Sequence, residues 1–224
     1  MILEGKKIAF LGDSITEGVG VTDRIHNRYD NILKRACKLA ETFNYGIGGT
    51  RLAHQSEPSE KPRYDLCFAG RAYDIDKSAD IIVVYGGIND YIHGDACIGE
   101  WGDSTPKTFY GAVRFLMKFL KEHHEGKTIV FMTPAHCHFG GVSDSVVSPR
   151  PMKKPCAMPV RGYVDIILRT GEDLGIPVLN LYDNLGIDPN NPEDKEKYTV
   201  DGLHFNDAGH VFIAARLRDF LLSL

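Results

Sequence analysis

The chain has 224 residues, 43% hydrophobic and 25% charged, with a net charge of −4; these are globular values, sufficient for a sizeable core without disulfides. Acids and bases are interspersed, which excludes the basic stripe that nucleic-acid binding demands. Cys37, Cys67, Cys97, Cys137 and Cys156 make an odd set with no C-x-x-C pair, read as reduced thiols, and no apolar stretch reaches the length of a signal peptide or membrane span, so the expected location is cytoplasmic with no membrane partner.

The first element is the apolar run Ile8 to Leu11, stopped by Gly12-Asp13-Ser14. It reads as a buried strand that ends in a tight turn and leaves Ser14 on a loop held by a rigid strand. Taken alone, Ser14 is as well explained as a helix N-cap. Tyr29, Ile32, Leu33, Ala36 and Ala40 fall at helical spacing and predict an amphipathic helix over 25–41. Thr42 to Tyr45 predicts a short strand entering the glycine loop Gly46-Ile47-Gly48-Gly49, and Arg51 to Ala79 an irregular excursion with one short helix. Asp80 to Tyr85 is apolar on consecutive positions, a strand buried on both faces, and it ends at Gly86-Gly87-Ile88-Asn89-Asp90.

Thr105-Pro106 predicts a helix start, with Phe109, Ala112, Val113, Leu116, Met117 and Leu120 as its buried face and Gly126 at its close. Lys127 to Met132 is a further buried strand. His136 to Pro159 is a long loop carrying Pro149, Pro151, Pro155, Pro159 and a Gly140-Gly141 pair. Val160, Val164, Ile167, Leu168 and Leu174 mark a helix, Pro177 to Leu181 the last strand, and Asp188 to Glu196 a polar loop. Asn206 caps a final helix with the face Ile213, Ala214, Leu217, Leu221 and Leu224. Strands alternating with helices give an α/β fold, a parallel doubly wound sheet with helices on both sides, and no linker divides 1–224 into two domains.

In such a sheet every strand ends at one edge, where ligands bind. That edge collects Ser14, Gly49, Asn89 and Asp201-Gly202-Leu203-His204. A serine hydroxyl needs a base to become a nucleophile. His204 is a candidate base, and Asp201, three residues earlier, can fix its tautomer and steady the imidazolium. The backbone N–H groups of Ser14 and Gly49 and the Asn89 amide can supply three donors to an oxyanion.

These four blocks resemble those of the SGNH hydrolases, the GDSL esterase and acylhydrolase superfamily. Gly12-Asp13-Ser14 matches the first block, Asn44 leading to Gly49 the second, Gly87-Ile88-Asn89-Asp90 the third, and Asp201-Gly202-Leu203-His204 the last. Phe205 stands where proline often follows the histidine, a departure in loop shape. The resemblance implies a flavodoxin-like three-layer α/β/α fold with a five-stranded parallel sheet. It also implies Ser14 as nucleophile, His204 as base, Asp201 as its partner, and an oxyanion hole from Ser14, Gly49 and Asn89, with no cofactor.

Asp13 is a further site candidate, with shaping of the turn as its plainer role. Tyr91, His93, Asp95 and Trp101 are candidates to line the acyl or alcohol pocket, the alternative being a solvated loop with Trp101 as a packing anchor. His136 adds a polar group from the long loop. Metal binding by His136 and His138 with Cys137 or Cys156 is a poor fit to metal-ligand spacing, so no metal is expected. Neither G-x-x-x-x-G-K-[ST] nor G-x-S-x-G occurs, which removes a P-loop and an ordinary α/β-hydrolase elbow. The expected activity is hydrolysis of short-chain, acetyl esters of a small molecule, with an acylated sugar as the candidate substrate. Acyl transfer, lysophospholipase or thioesterase-type hydrolysis on the same residues, and a non-catalytic ligand-binding domain, remain the alternatives.

Overall fold

The computed structural model describes residues 1–148 and 157–224. Five strands form one parallel sheet: β1 (Lys7–Gly12), β2 (Glu41–Gly46), β3 (Ile81–Tyr85), β4 (Thr128–Met132) and β7 (Val178–Leu179), in the order β2-β1-β3-β4-β7. Two further strands, β5 (His138–Phe139) and β6 (Val142–Ser143), make a separate antiparallel hairpin. The order reverses direction between β1 and β3, the switch point at which open α/β sheets leave a crevice.

Alternation along the strands sorts the core into two layers. Ala9, Leu11, Ile82, Val84, Ile129 and Phe131 face one side, where they meet α5 (Phe109–His123) and α6 (Val160–Leu174). Ile8, Phe10, Ile81, Val83, Val130 and Met132 face the other, packed on α2 (Tyr29–Cys37) and α9 (Asp207–Ser223). This is the three-layer SGNH hydrolase fold that the sequence predicts, and β3, buried at every position, is its central strand.

Several boundaries differ from expectation, each for a local reason. The helix predicted over 25–41 runs only from Tyr29 to Cys37. Asp23 Oδ1 accepts from the backbone of Ile25 and His26 and holds a separate turn before it, and Lys38 in the left-handed region ends it. Thr105-Pro106 does not start α5; Thr108 does, accepting from Gly111 N. The polar loop 188–196 contains the unexpected helix α8 (Pro192–Tyr198), capped by Asn191 with proline at its first turn. Leu224 lies beyond α9 and is exposed, so it does not belong to the buried face. The loop 136–159 carries the β5–β6 hairpin, turning at Gly140-Gly141; Pro149, Pro151, Pro155 and Cys156 fall outside the described residues.

The excursion 51–79 carries the short helix expected there, α3 (Phe68–Arg71), while the short helices at the strand ends went unpredicted: α1 (Ser14–Glu17), α4 (Ile88–Ile92) and α7 (Leu181–Asn184). The first two of these carry two of the site residues.

Candidate active site

β1 ends at Gly12 and the chain turns at once into α1. Asp13 caps that helix, its Oδ1 accepting from Ile15 N at 3.0 Å, so the cap is Asp13 and not Ser14. Ser14 is the first helical residue. Asp13 is fully buried beneath it, and burial pushes its carboxyl up to about 6, partly countered by the Ile15 bond and the nearby His204 and Arg71 charges. Its role is thus the turn itself, and its side chain presents no surface to a substrate.

The second strand end is pinned to this turn. Asn44 donates to Thr16 O (2.8 Å) and accepts from Gly46 N (2.9 Å), while Glu17 Oε2 accepts from Gly48 N (2.6 Å). A Cβ added to Gly48 would stand 3.4 Å from Ser14 Cβ. Gly49 has φ +80°, and a Cβ there would collide with the nearest Tyr64 ring carbon, so only glycine fits beside that ring.

The third strand end is tied to the second. Asn89 lies on α4 directly after β3, and its Nδ2 donates to Thr50 O at 2.9 Å. Asp90 accepts from Leu52 N and Ala53 N, both at 2.9 Å. These three bonds lock the Gly49 loop against Asn89 across the switch-point crevice.

His204 arrives from the loop between α8 and α9. Asp201 Oδ1 accepts from Leu203 N and His204 N (2.9 and 2.8 Å), and its Oδ2 meets His204 Nδ1 at 2.7 Å. Gly202 has φ +86° and lies so close to His138 O that a side chain there would strike the hairpin. His138 N in turn donates to Gly202 O at 2.8 Å, so β5 braces the loop from outside. Phe205, the departure from proline, is buried in the core that α2 and α9 share with the sheet.

The far nitrogen, His204 Nε2, lies 3.0 Å from Ser14 Oγ, joining residues 190 positions apart. Asp201 only accepts when ionised, so His204 Nδ1 carries the proton and Nε2 is left to accept from the serine. Burial alone would raise the Asp201 carboxyl, but the bonds from the His204 ring and backbone, its charge and the Leu203 bond carry it below the ordinary carboxylate value. The arrangement can take a proton from a hydroxyl and hold the resulting imidazolium.

The other sequence candidates disperse. Tyr91 is buried, donates to Val146 O (2.9 Å), and lines a cavity of about 290 Å³ with Ile92, Cys137, Phe139, Gly140, Val142 and Ser148. Neither Ser14 nor His204 lines that cavity, but Phe139 is edge-on to the His204 ring, with centroids 6.3 Å apart. His93 stands behind Asn89, with its Nε2 on Asn89 Oδ1 (3.1 Å) and its Nδ1 on Arg51 (2.9 Å). Both ring nitrogens are spent inside the protein, so the expected pocket role does not fit its placement. Trp101 sits between the guanidiniums of Arg114 on α5 and Arg169 on α6, 4.6 and 3.9 Å from its ring. Among the described residues no hydrogen bond or ring contact joins it to the Ser14 cluster. His136 bonds Asp144 through Nδ1 (2.7 Å) and lies against Tyr182. Among the described residues no group of three or more His, Cys, Asp or Glu side chains could hold a metal ion, and no helix is long and apolar enough to cross a membrane.

Residues 10–212 match the model of the GDSL-like Lipase/Acylhydrolase family. The chain belongs to that family. It is therefore an SGNH hydrolase, one of a group of hydrolases that act on esters. Its fold recurs in solved structures. A Lactobacillus plantarum protein is 32% identical with a TM-score of 0.81, the match covering 98% of each chain. An acetyl xylan esterase, AlAXEase, is 22% identical with a TM-score of 0.60, covering 95% of this chain and 98% of that one. A two-domain esterase active on acetylated mannans is 20% identical with a TM-score of 0.63, covering 98% of this chain and 49% of that one. The last two share the fold. No curated protein sequence matches the chain.

Reading the sequence alone missed Arg51, Glu17 and Tyr64, which hold or cover the glycine loop. The available signals were slight: an arginine two residues after Gly49, and an acidic residue three after the serine.

Proposed function

We propose that this GDSL-like hydrolase is a serine esterase that removes short acyl groups, acetyl foremost, from carbohydrate-like esters. The observation that carries the reading is the continuous chain from Ser14 Oγ through His204 (3.0 Å) to Asp201 (2.7 Å). In the first half-reaction Ser14 Oγ bonds to the acyl carbon as its proton passes to His204 Nε2, and the carbonyl electron pair moves onto oxygen. The N–H groups of Ser14 and Gly49 and the Asn89 amide receive that oxyanion. Collapse expels the alcohol, protonated by His204. Water then repeats the sequence on the acyl-enzyme and releases the acid.

The alcohol half of the reading is supported by the polar side chains of the loops after Gly49 and after β4, His54, Gln55, Glu57 and Ser143 among them, and by the printed names of the acetyl xylan and acetylated-mannan esterases of like fold. Polar groups fix hydroxyls while an aromatic face packs on a sugar ring.

The test is kcat/KM for nitrophenyl acetate, butyrate, octanoate and palmitate, and for acetylated sugars against simple alkyl acetates. The reading expects a maximum at acetate or butyrate and a preference for the sugar esters. A maximum at octanoate or beyond contradicts the acyl half, and equal rates on both alcohols contradict the other.

A further inference from the structure

The oxyanion donor proposed for Asn89 is a side-chain amide, and an amide can present oxygen or nitrogen to the same place. Presenting oxygen to an oxyanion would be repulsive, so the site needs something that fixes the amide. The structure supplies it in atoms on the far side of Asn89.

Arg51 is 2% exposed. One terminal nitrogen donates to Tyr64 O (2.7 Å), Ser59 Oγ (3.0 Å) and Asp65 Oδ1 (3.2 Å), and the other stands 2.9 Å from His93 Nδ1. A guanidinium has donors only. His93 Nδ1 must therefore accept, and the ring proton must sit on Nε2. That N–H points at Asn89, 3.1 Å away, and it can only be received by oxygen. The amide is thus set with Oδ1 toward His93 and Nδ2 toward Thr50 O (2.9 Å), and the second hydrogen of Nδ2 is left for a substrate oxygen. The contact arises because His93 closes α4 four residues after Asn89, and residues four apart on a helix share a face.

We infer that Arg51 and His93 are positioning residues for the oxyanion hole, a relay in which the Arg51 cation fixes the His93 tautomer and His93 fixes and polarises the Asn89 amide. The inference rests on the serine esterase reading for its kinetic consequence but not for its geometry. As the carbonyl oxygen gains charge, the aligned donors of the relay strengthen together, so its effect falls on the transition state rather than on substrate binding.

The kinetic test uses His93→Leu, His93→Gln and Asn89→Ala with nitrophenyl acetate. His93→Leu is expected to lower kcat roughly 10- to 100-fold, less than removal of the donor itself, with KM little changed. His93→Gln, which can still donate to Asn89 Oδ1, is expected to recover most of the loss. The double variant His93→Leu/Asn89→Ala is expected to be no slower than Asn89→Ala alone, because His93 acts only through Asn89. Wild-type kcat in His93→Leu, or losses that multiply in the double variant, overturn the inference. A second measurement needs neither activity nor a variant: nitrogen NMR shifts of ring-labelled histidines in the wild-type protein. The relay expects His93 with the proton on Nε2 and an accepting Nδ1. A proton on Nδ1 overturns it. If the wild-type protein hydrolyses no ester while His93 shows the expected tautomer, the esterase reading fails and the relay geometry stands.

Discussion

Two histidine–aspartate pairs in this molecule have the same bond and different surroundings. His204 Nδ1 meets Asp201 Oδ2 at 2.7 Å, and His136 Nδ1 meets Asp144 Oδ2 at 2.7 Å. The Asp201 side chain is 35% exposed and its other oxygen is used only to hold the local turn. That of Asp144 is 3% exposed and is also bonded by Cys137 N (3.1 Å) and Asn190 Nδ2 (3.1 Å), joining the hairpin to the loop before α8. On the far side, His204 Nε2 has a serine hydroxyl, whereas the His136 ring packs on Tyr182 with centroids 3.7 Å apart. The pair alone does not make a site. What stands on the second nitrogen differs between the two, and among the described residues only the loop after α8 brings a histidine nitrogen onto Ser14 at the end of β1.

The largest expected effect separates the two pairs at the hydroxyl. Ser14→Ala should fold normally and lose about 10⁴-fold or more of the esterase activity, since no other hydroxyl meets His204 Nε2 among the described residues; steady-state rates on nitrophenyl acetate and a circular dichroism spectrum check both halves. Next comes the direct exchange between pairs. Asp201→Asn should lower kcat by about 10³–10⁴-fold by favouring the wrong His204 tautomer. Asp144→Asn should leave kcat within a fewfold and instead lower the unfolding free energy by about 1–3 kcal/mol, through buried donors left without a charged acceptor. Equal losses of activity in the two would erase the distinction. Asn89→Ala should lower kcat by about 10²–10³-fold with less change in KM, and a variant with wild-type kcat would remove Asn89 from the mechanism.

Much of this was legible in the sequence because strands and blocks are local. Ile81 to Tyr85 is apolar throughout and could hardly be anything but a buried central strand, and the blocks of Ser14, Gly49 and Asn89 each follow a strand that its own composition reveals, while Asp201 and His204 lie on a loop beyond the last strand. Helix boundaries were less legible. Thr105-Pro106 carries the signature of a helix start, yet Thr108 wins because its hydroxyl reaches Gly111 N, a competition between two good caps that composition does not rank. Asn191-Pro192 reads as a turn and is also a proper helix N-terminus. The supporting residues were least legible. Arg51 is bonded to residues up to 42 positions away, and nothing in a polar, irregular segment marks one arginine as buried. His93 and Trp101 attracted attention as polar and aromatic neighbours of Asn89; three-dimensional packing sends one behind the amide and the other to the outer face of α5 and α6.

The smallest expected effect concerns pH. Burial alone would lower the His136 pKa, but the Asp144 bond and the charges of Asp144, Asp188 and Asp183 raise it above the ordinary histidine value. A raised folded pKa contributes stability that is complete below about 6.5 and is lost as pH rises through the folded value. The melting temperature of the wild-type protein should therefore exceed that of His136→Leu by more at pH 5.5 than at pH 8.5. A difference that grows with pH would contradict this account of the pair.

The central claim, that Ser14 is the nucleophile activated by His204, is tested most directly by stoichiometric labelling with a serine-directed phosphonate, read by intact mass and peptide mapping. The account predicts one adduct per chain, on Ser14, formed at least about 10²-fold more slowly in His204→Ala and at the wild-type rate in His136→Ala. An adduct on another serine, or labelling of Ser14 that is indifferent to His204, would contradict it.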